Sequence, residues 1–359
     1  MMQNNQAIPF NKANFKEIFS KKFALVIFIS LPAAYLADYF KIPLAWFLGP
    51  MLITSLVTLG GIETKMPKLA LSSTLIILGL YIGNYIDKSL FQQIHQWFWT
   101  SLVMLFYIVT SVLLVSKYLE KFSGYDKKTS IFSAAPGALG PLMILAEGEK
   151  SDLSRVATSH LIRLIIIITI FPFIVNSFYN VETNIINLNP NLPQSKIDLI
   201  YLILLSVVLI IIFDKFKVPA ALLSGTLVAS GFLQISELAS YKISDDIVNV
   251  CLLLLGSSVG CRFANKSFKE ISNNALHSFV ATIMLVALGL VAALVAGLFI
   301  DKNFFTLLLS YCPGGIYEVA VIAIFFDLDP EFVSFHHIIR LLMILFAVPV
   351  ILKIISKKA

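Results

Sequence analysis

Apolar residues run in long unbroken stretches along this chain, and polar residues gather between the stretches rather than within them. Ten stretches are continuous: 23–40, 43–62, 69–86, 96–118, 156–178, 198–214, 218–235, 246–262, 275–300 and 334–355. None alternates with the two-residue period of a half-buried strand, which argues against a transmembrane barrel. Each approaches the roughly twenty residues that carry a helix across a bilayer. Two further stretches, 129–147 and 303–326, are interrupted by Pro136–Gly137 and Pro313–Gly314. A polar segment, 179–197, divides the series in two. The pattern predicts an all-α polytopic membrane protein.

The second series repeats the first. "DYFKIPLAWFLG" (38–49) matches "DKFKVPAALLSG" (214–225), and "ILGLYIG" (77–83) matches "LLGSSVG" (254–260). "APGALGP" (135–141) matches "CPGGIYE" (312–318), and "SHLIRLIIII" (159–168) matches "HHIIRLLMIL" (336–345). The last three pairs share one spacing without a gap. That spacing sets Pro136 on Pro313, Asp152 on Asp329, His160 on His337 and Arg163 on Arg340. Hydrophobic bias alone does not bring rare residues into register, so a duplicated chain is expected. The organisation read from it is an N-terminal segment 1–22, a first repeat 23–178, a polar external linker 179–197 and a second repeat 198–359.

If each broken stretch dips into the membrane and returns, each repeat has five spans and the two are inverted. If each crosses, the repeats have six spans and are parallel. Lysine and arginine accumulate on the cytoplasmic side. With an inside N-terminus, the inverted arrangement leaves only five of the 27 Lys and Arg outside: Lys41, Lys88, Lys196, Lys242 and Lys302. The parallel arrangement exposes Arg262, Lys266 and Lys269 together on the outside. The expectation is therefore two inverted repeats of five transmembrane helices, each with one re-entrant broken hairpin, and both termini cytoplasmic.

Composition agrees and excludes some classes. Of 359 residues 58% are hydrophobic and 13% charged, and the mean hydropathy is +0.87, far from a soluble domain. Lys12, Lys16, Lys21 and Lys22 precede the first apolar run, and no small-residue cleavage site follows it, so the first helix is expected to be retained. Basic loops account for the net charge of +6 without a nucleic-acid partner. Cys251, Cys261 and Cys312 form no CxxC pair and imply no disulfide framework. The lipid bilayer is the expected partner, and a homo-oligomer is compatible with the sequence.

Backbone that leaves the helix at membrane depth is tolerated only where protein buries it or a watery cavity borders it. A short helix restarting beyond each Pro-Gly pair would offer free N–H groups and a partial positive charge to an anion. Pro136, Gly137, Gly140, Pro313, Gly314 and Gly315 are thus candidate site residues. The following helices carry His160 with Arg163, and His336 and His337 with Arg340, at spacings that share one helical face. Arginine within a span is rare and costly. Three roles stand open for Arg163 and Arg340: holding an anionic solute, bracing the loose carbonyls of the break, or snorkelling to the interface. Glu318, which stands where the first repeat has Pro141, is a candidate for a coupling proton or cation or for a fixed salt bridge. The histidines are candidates for a coupling proton as well. Asp152 and Asp329 read as helix N-caps. Gly79, Gly83, Gly256 and Gly260 read as small-xxx-small packing pairs, with pore-lining Ser257 and Ser258 the weaker alternative.

The PGALGP…SHLIR and CPGG…HHIIR blocks, with the duplication, resemble the AbrB family of bacterial inner-membrane proteins. The resemblance covers nearly the whole chain. It is distinct from the small DNA-binding transition-state regulator of the same name. Family members have been called regulators and ammonia monooxygenases, and the family looks like part of a wider group of cation–proton antiporter and anion transporter folds. The resemblance implies secondary transport in the inner membrane and marks Pro136, Gly137, Gly140, Pro141, His160 and Arg163, with Pro313, Gly314, Gly315, Glu318, His337 and Arg340. His336 stands where the first repeat has Ser159, so the halves are not chemically equivalent.

A transporter of a small anionic or zwitterionic solute, coupled to a proton or cation, is the leading expectation. A ligand sensor or regulator of gene expression needs the same central site and is the alternative. A monooxygenase would need a metal or redox centre. The chain has five histidines but no HExxH and no cysteine-rich ligand set, so no cofactor, metal or catalytic residue is expected. No GxxxxGK[ST] motif supports ATP-driven export.

Overall fold

The computed structural model describes residues 12–84, 86, 90–179, 196–218, 220–238, 243–264 and 268–356. Most of the polar linker expected at 179–197 lies outside them, as do Lys88, Lys242 and Lys266. Every described element is a helix. In chain order they are α1 (Lys12–Ile18), α2 (Lys21–Tyr39), α3 (Ala45–Leu59), α4 (Lys68–Gly83), α5 (Leu90–Phe122), α6 (Lys127–Ala134), α7 (Leu139–Gly148) and α8 (Leu153–Tyr179). There follow α9 (Lys196–Lys215), α10 (Ala221–Ile235), α11 (Asp245–Cys261), α12 (Phe268–Ala296), α13 (Phe304–Tyr311), α14 (Ile316–Phe325) and α15 (Pro330–Ser356). All ten continuous apolar stretches are helices, and both broken stretches are pairs of short helices. The polar N-terminal segment contains α1, which its lack of a long apolar run concealed.

Among the described residues, five helical segments are long and apolar enough to cross a membrane: Lys21–Tyr39, Trp97–Phe122, Leu153–Phe178, Asn274–Ala296 and Pro330–Ile354. Others are apolar but shorter, such as Ala45–Leu59 and Ala221–Ile235. At 1.5 Å per residue such a helix reaches roughly 22 Å, less than the ~30 Å of a typical hydrocarbon core.

The chain forms two compact units. The first takes Met1–Lys88, Asn176–Lys266 and Ile324–Asp327; the second takes Ser89–Val175, Ser267–Ala323 and Leu328–Ala359. Repeats and units are different partitions, because each unit draws helices from both repeats.

The duplication recurs in the backbone. Helix α2 ends in a Schellman turn: the Lys41 N–H donates to Asp38 O at 2.9 Å and the Ile42 N–H to Ala37 O at 3.0 Å. Helix α9 ends the same way, from Lys217 to Asp214 and from Val218 to Phe213. Lys41 and Lys217 carry the left-handed φ of this turn, 53° and 54°, where glycine is the usual choice. Asp38 and Asp214 contribute backbone carbonyls to these turns.

The first unit is held by close helix contacts at the predicted glycines. In place of its hydrogen, a Cβ on Gly79 would strike the Leu223 carbonyl of α10, and one on Gly83 would strike Ser230. A Cβ on Gly256 would strike the Phe47 carbonyl of α3, and one on Gly260 would strike Thr54 and Ser55. The pairs α4–α10 and α11–α3 are the same contact made twice, with the repeats exchanged. Such backbone approach is how helices gain packing contacts in lipid, where hydrophobic burial offers no drive. Ser257 is buried here, its hydroxyl 2.8 Å from that of Ser30, and Ser258 donates to Leu255 O at 2.7 Å.

In the second unit the long α5 packs on α6, α12 and α15, and α13 packs on α12 and α15. One core runs from Trp97, Met104 and Ile108 of α5 through Phe132 of α6 and Leu142 of α7 to Phe332, Ile344 and Val348 of α15. Both Pro-Gly breaks lie in this unit.

Candidate functional site

The two breaks are built alike. Asp126 caps α6, its carboxylate accepting from the Lys128 and Thr129 N–H groups, each at 3.0 Å. Asn303 caps α13 by accepting from the Phe305 N–H at 2.8 Å. Each short helix ends at a residue in extended conformation, Ala135 or Cys312. Proline follows, which cannot donate the next helical hydrogen bond. The chain then turns tightly, with Gly137 N–H on Ala135 O at 3.0 Å and Gly314 N–H on Cys312 O at 2.8 Å. Gly137 has φ +111°, a conformation that side chains strain. Helices α7 and α14 start just beyond.

The arginines cover the carbonyls that the breaks leave without helical partners. Arg163 Nη1 donates to Ala135 O at 2.6 Å and its Nη2 to Ser133 O. Arg340 Nη1 donates to Cys312 O, and its Nη2 donates to Gly314 O at 2.6 Å. Both side chains are 2% exposed, so neither snorkels. The bracing geometry is thus present at both breaks. Arg340 also borders the first break: a Cβ on Gly137 would come 3.0 Å from its Nη2.

Each arginine is paired with a histidine one turn earlier. His160 Nε2 lies 3.0 Å from Phe132 O, and His337 Nε2 lies 3.0 Å from Leu309 O. A carbonyl only accepts, so both Nε2 atoms carry hydrogen. His337 Nδ1 then accepts from Arg340 Nη2 at 3.0 Å. His336 points elsewhere, with Nδ1 on Phe332 O at 2.9 Å and Nε2 facing the Thr100 hydroxyl at 2.8 Å. Among the described residues no three His, Cys, Asp or Glu come close enough together to hold a metal.

Glu318 is buried in the first turn of α14, and its carboxylate folds back over Gly315, where a Cβ would overlap Oε2. A carboxylate there meets the positive end of the helix. The first turn of α7 has no acid, and its N-cap Ala138 makes no side-chain hydrogen bond. A Cβ at Gly140 in that turn would meet nothing within 4 Å. Pro313 and Gly314 are buried, with Gly314 against Val319 and Ile167, and Pro136 is buried.

Asp152 caps α8 as its sequence position suggests, accepting from the Arg155 N–H at 3.1 Å. Asp329 does not act as its counterpart does. Its carboxylate is taken by Lys302 at 2.7 Å and by the Thr306 hydroxyl at 3.2 Å, which ties α15 to the start of α13. Sequence reasoning missed the hydroxyl partners. Tyr311 donates to Thr100 O at 2.6 Å, and Tyr125 donates to Asn274 Oδ1 at 3.1 Å. The only trace of them in the sequence is a hydroxyl within or beside an apolar run.

A family model described as "Transition state regulatory protein AbrB" matches residues 2–84 and 46–356. The chain is 24% identical over 339 residues to "Putative regulator AbrB" of Escherichia coli (strain K12), covering 93% of this chain and 96% of that one. It is 21% identical over 351 residues to "Uncharacterized protein YhjN" of Bacillus subtilis (strain 168), covering 90% of each. No solved structure matches.

Proposed function

The chain belongs to the AbrB family, and from that premise we propose that it is a secondary transporter of a small anionic or zwitterionic solute across the bacterial inner membrane. The observation that carries this reading is the pair of Pro-Gly breaks inside one unit, each lined by a buried arginine and histidine from the last helix of its repeat. We take each break as the tip of a re-entrant hairpin, and the two repeats as inverted, with both termini cytoplasmic. Broken helices at the centre of inverted repeats are a common transporter layout.

The breaks divide the work. Glu318 occupies the N-terminal end of α14 with the protein's own carboxylate. The matching end of α7 has Gly140 and Pro141 and stands open, and it takes the solute's carboxylate. Arg163 and Arg340 hold the breaks in shape and supply positive charge beside the solute, with His160, His336 and His337 around them. Glu318 and the histidines are the groups for a coupling proton or cation. The test is a thermal-shift screen of carboxylates, amino acids and phosphates, followed by counterflow of each stabilising compound in proteoliposomes. Exchange of a labelled carboxylate supports transport. Exchange of phosphates alone would keep an anionic solute but overturn its carboxylate, and exchange of cations alone would overturn the solute class.

The name of the Escherichia coli relative, a regulator, favours a second reading, a membrane sensor that binds a ligand without moving it. Binding without counterflow would establish it.

A further inference from the structure

We infer that His336 is a proton-binding site whose charged form is completed by Thr100. The argument is a count of hydrogens. The chain of contacts runs from Phe332 O to His336 Nδ1 at 2.9 Å, from His336 Nε2 to Thr100 Oγ1 at 2.8 Å, and from Thr100 Oγ1 to Trp97 O at 3.0 Å. Both ends are carbonyls, which only accept. Three contacts need three hydrogens. A neutral imidazole and one hydroxyl supply two. A proton on Nε2 supplies the third: Nδ1–H then donates to Phe332 O, Nε2–H to Thr100 Oγ1, and the hydroxyl to Trp97 O. Protonation thus adds a hydrogen bond here and removes none.

The neighbouring histidines lack this property. His337 uses both ring nitrogens in its neutral form, and a proton on Nδ1 would displace the bond from Arg340. His160 stands beside Arg163 with Nε2 committed to Phe132 O. In the first repeat the position of His336 is held by Ser159, so the site exists once.

The surroundings decide when the proton binds. From α5 the ring meets Trp97 and Thr100, which do not titrate in this range, and from α13 it meets Tyr311, 6.2 Å between ring centres. On its own helix lie Phe332, at 4.1 Å, with His337 and Arg340 further along. Lys302 sits 5.8 Å from the Phe332 ring and is paired with Asp329. Positive neighbours and an apolar setting work against the added charge. An anion arriving near Arg340 offsets them, and by linkage the proton then strengthens anion binding in return. That coupling rests on the transporter reading; the proton site itself does not.

The test is nitrogen NMR of histidine-labelled protein in lipid nanodiscs, with His336→Gln assigning the resonance. As pH falls, the His336 ring of the folded protein should gain the signature of hydrogen on both nitrogens, reversibly. Thr100→Val removes the acceptor at equal size and should weaken proton binding about tenfold, by the worth of one charge-assisted hydrogen bond. Thr100→Ser should titrate as the wild type does. A ring that stays neutral until the protein unfolds overturns the inference. So does a Thr100→Val protein that titrates like the wild type. If Thr100→Val fails to fold, the wild-type titration and Thr100→Ser decide. The measurement needs no solute, so its failure and a failure of counterflow are separate results.

Discussion

Arg163 and Arg340 occupy matching places in the two repeats and make the same bond: each Nη1 donates to the carbonyl that precedes the proline of its break. Their second bonds differ. Arg163 Nη2 reaches back into α6 at Ser133, and Arg340 Nη2 reaches past its proline to Gly314. The first break is held from one side, and the second is clamped across its turn.

Removing either guanidinium takes a charged donor from two buried carbonyls, of which Ala135 O or Cys312 O keeps only its turn N–H. Hydrogen bonds to a charged group contribute roughly 1.5–3 kcal/mol each, so Arg163→Met or Arg340→Met should cost about 3–5 kcal/mol. A fall of roughly 10 °C in the melting midpoint is the expected reading, at about 2–4 °C per kcal/mol for a unit of this size. Arg340→Met should also loosen Gly137, which lies against it. Melting curves in detergent or nanodiscs check this. A variant that melts like the wild type but no longer responds to any ligand would show that the arginine serves the solute and not the fold.

The glycine contacts of the first unit predict a matched pair of effects. Gly79→Ala and Gly256→Ala each drive a methyl into a backbone carbonyl of a neighbouring helix. Backbone cannot step aside as a side chain does, so each should destabilise by about 1–3 kcal/mol. Gly140→Ala, with open space at its Cβ, is the control and should melt within about 0.5 kcal/mol of the wild type. Unequal losses at Gly79 and Gly256 would mean that the two contacts are not equivalent in solution.

These contacts also show what was legible beforehand. The register of rare residues placed both breaks and assigned His160 and His337, Arg163 and Arg340 to matching helix faces, because a spacing that preserves Pro, His and Arg preserves geometry. Glycines four apart announced close packing without naming the partner helix. Two things were hidden. The exchange of helices between repeats depends on which segments meet in space, and no local period records that. The carbonyls of the breaks were named as one of three roles for the arginines, but which carbonyl each guanidinium takes was not legible, because every residue has one. Asp329 shows the same limit: it reads as a cap like Asp152, but Lys302 lies within reach and takes its carboxylate.

Acid should loosen the start of α6. Partial burial works to raise the Asp126 carboxyl, but the Thr129 hydroxyl and the Thr129 and Lys128 N–H groups outweigh it and hold the group below its ordinary value. A depressed carboxyl contributes stability above its unfolded pKa and loses it as pH falls through the folded one. Hydrogen exchange followed from neutral to acid pH should therefore show residues 127–130 losing protection in the wild type. Asp126→Asn keeps a cap that does not titrate, so it should remove that acid-induced loss and cost about 1 kcal/mol or less at neutral pH.

The open end of α7 can be closed with the chemistry of the other repeat. Glu318 reaches back over Gly315 because that residue has no Cβ; the matching position in α7 is Ala138, and Pro141 stands in place of the acid. The double variant Ala138→Gly/Pro141→Glu supplies both features, a carboxylate and room for it to fold back. It should fold, since acids in a first turn are favourable by about 0.3–1 kcal/mol. It should also lose the thermal shift given by any carboxylate that stabilises the wild type, because its own carboxylate holds the seat. Ala138→Gly alone leaves the seat empty and should keep the response. A double variant that still binds the same carboxylate with undiminished shift would place the solute away from α7 and leave the arginines as braces only.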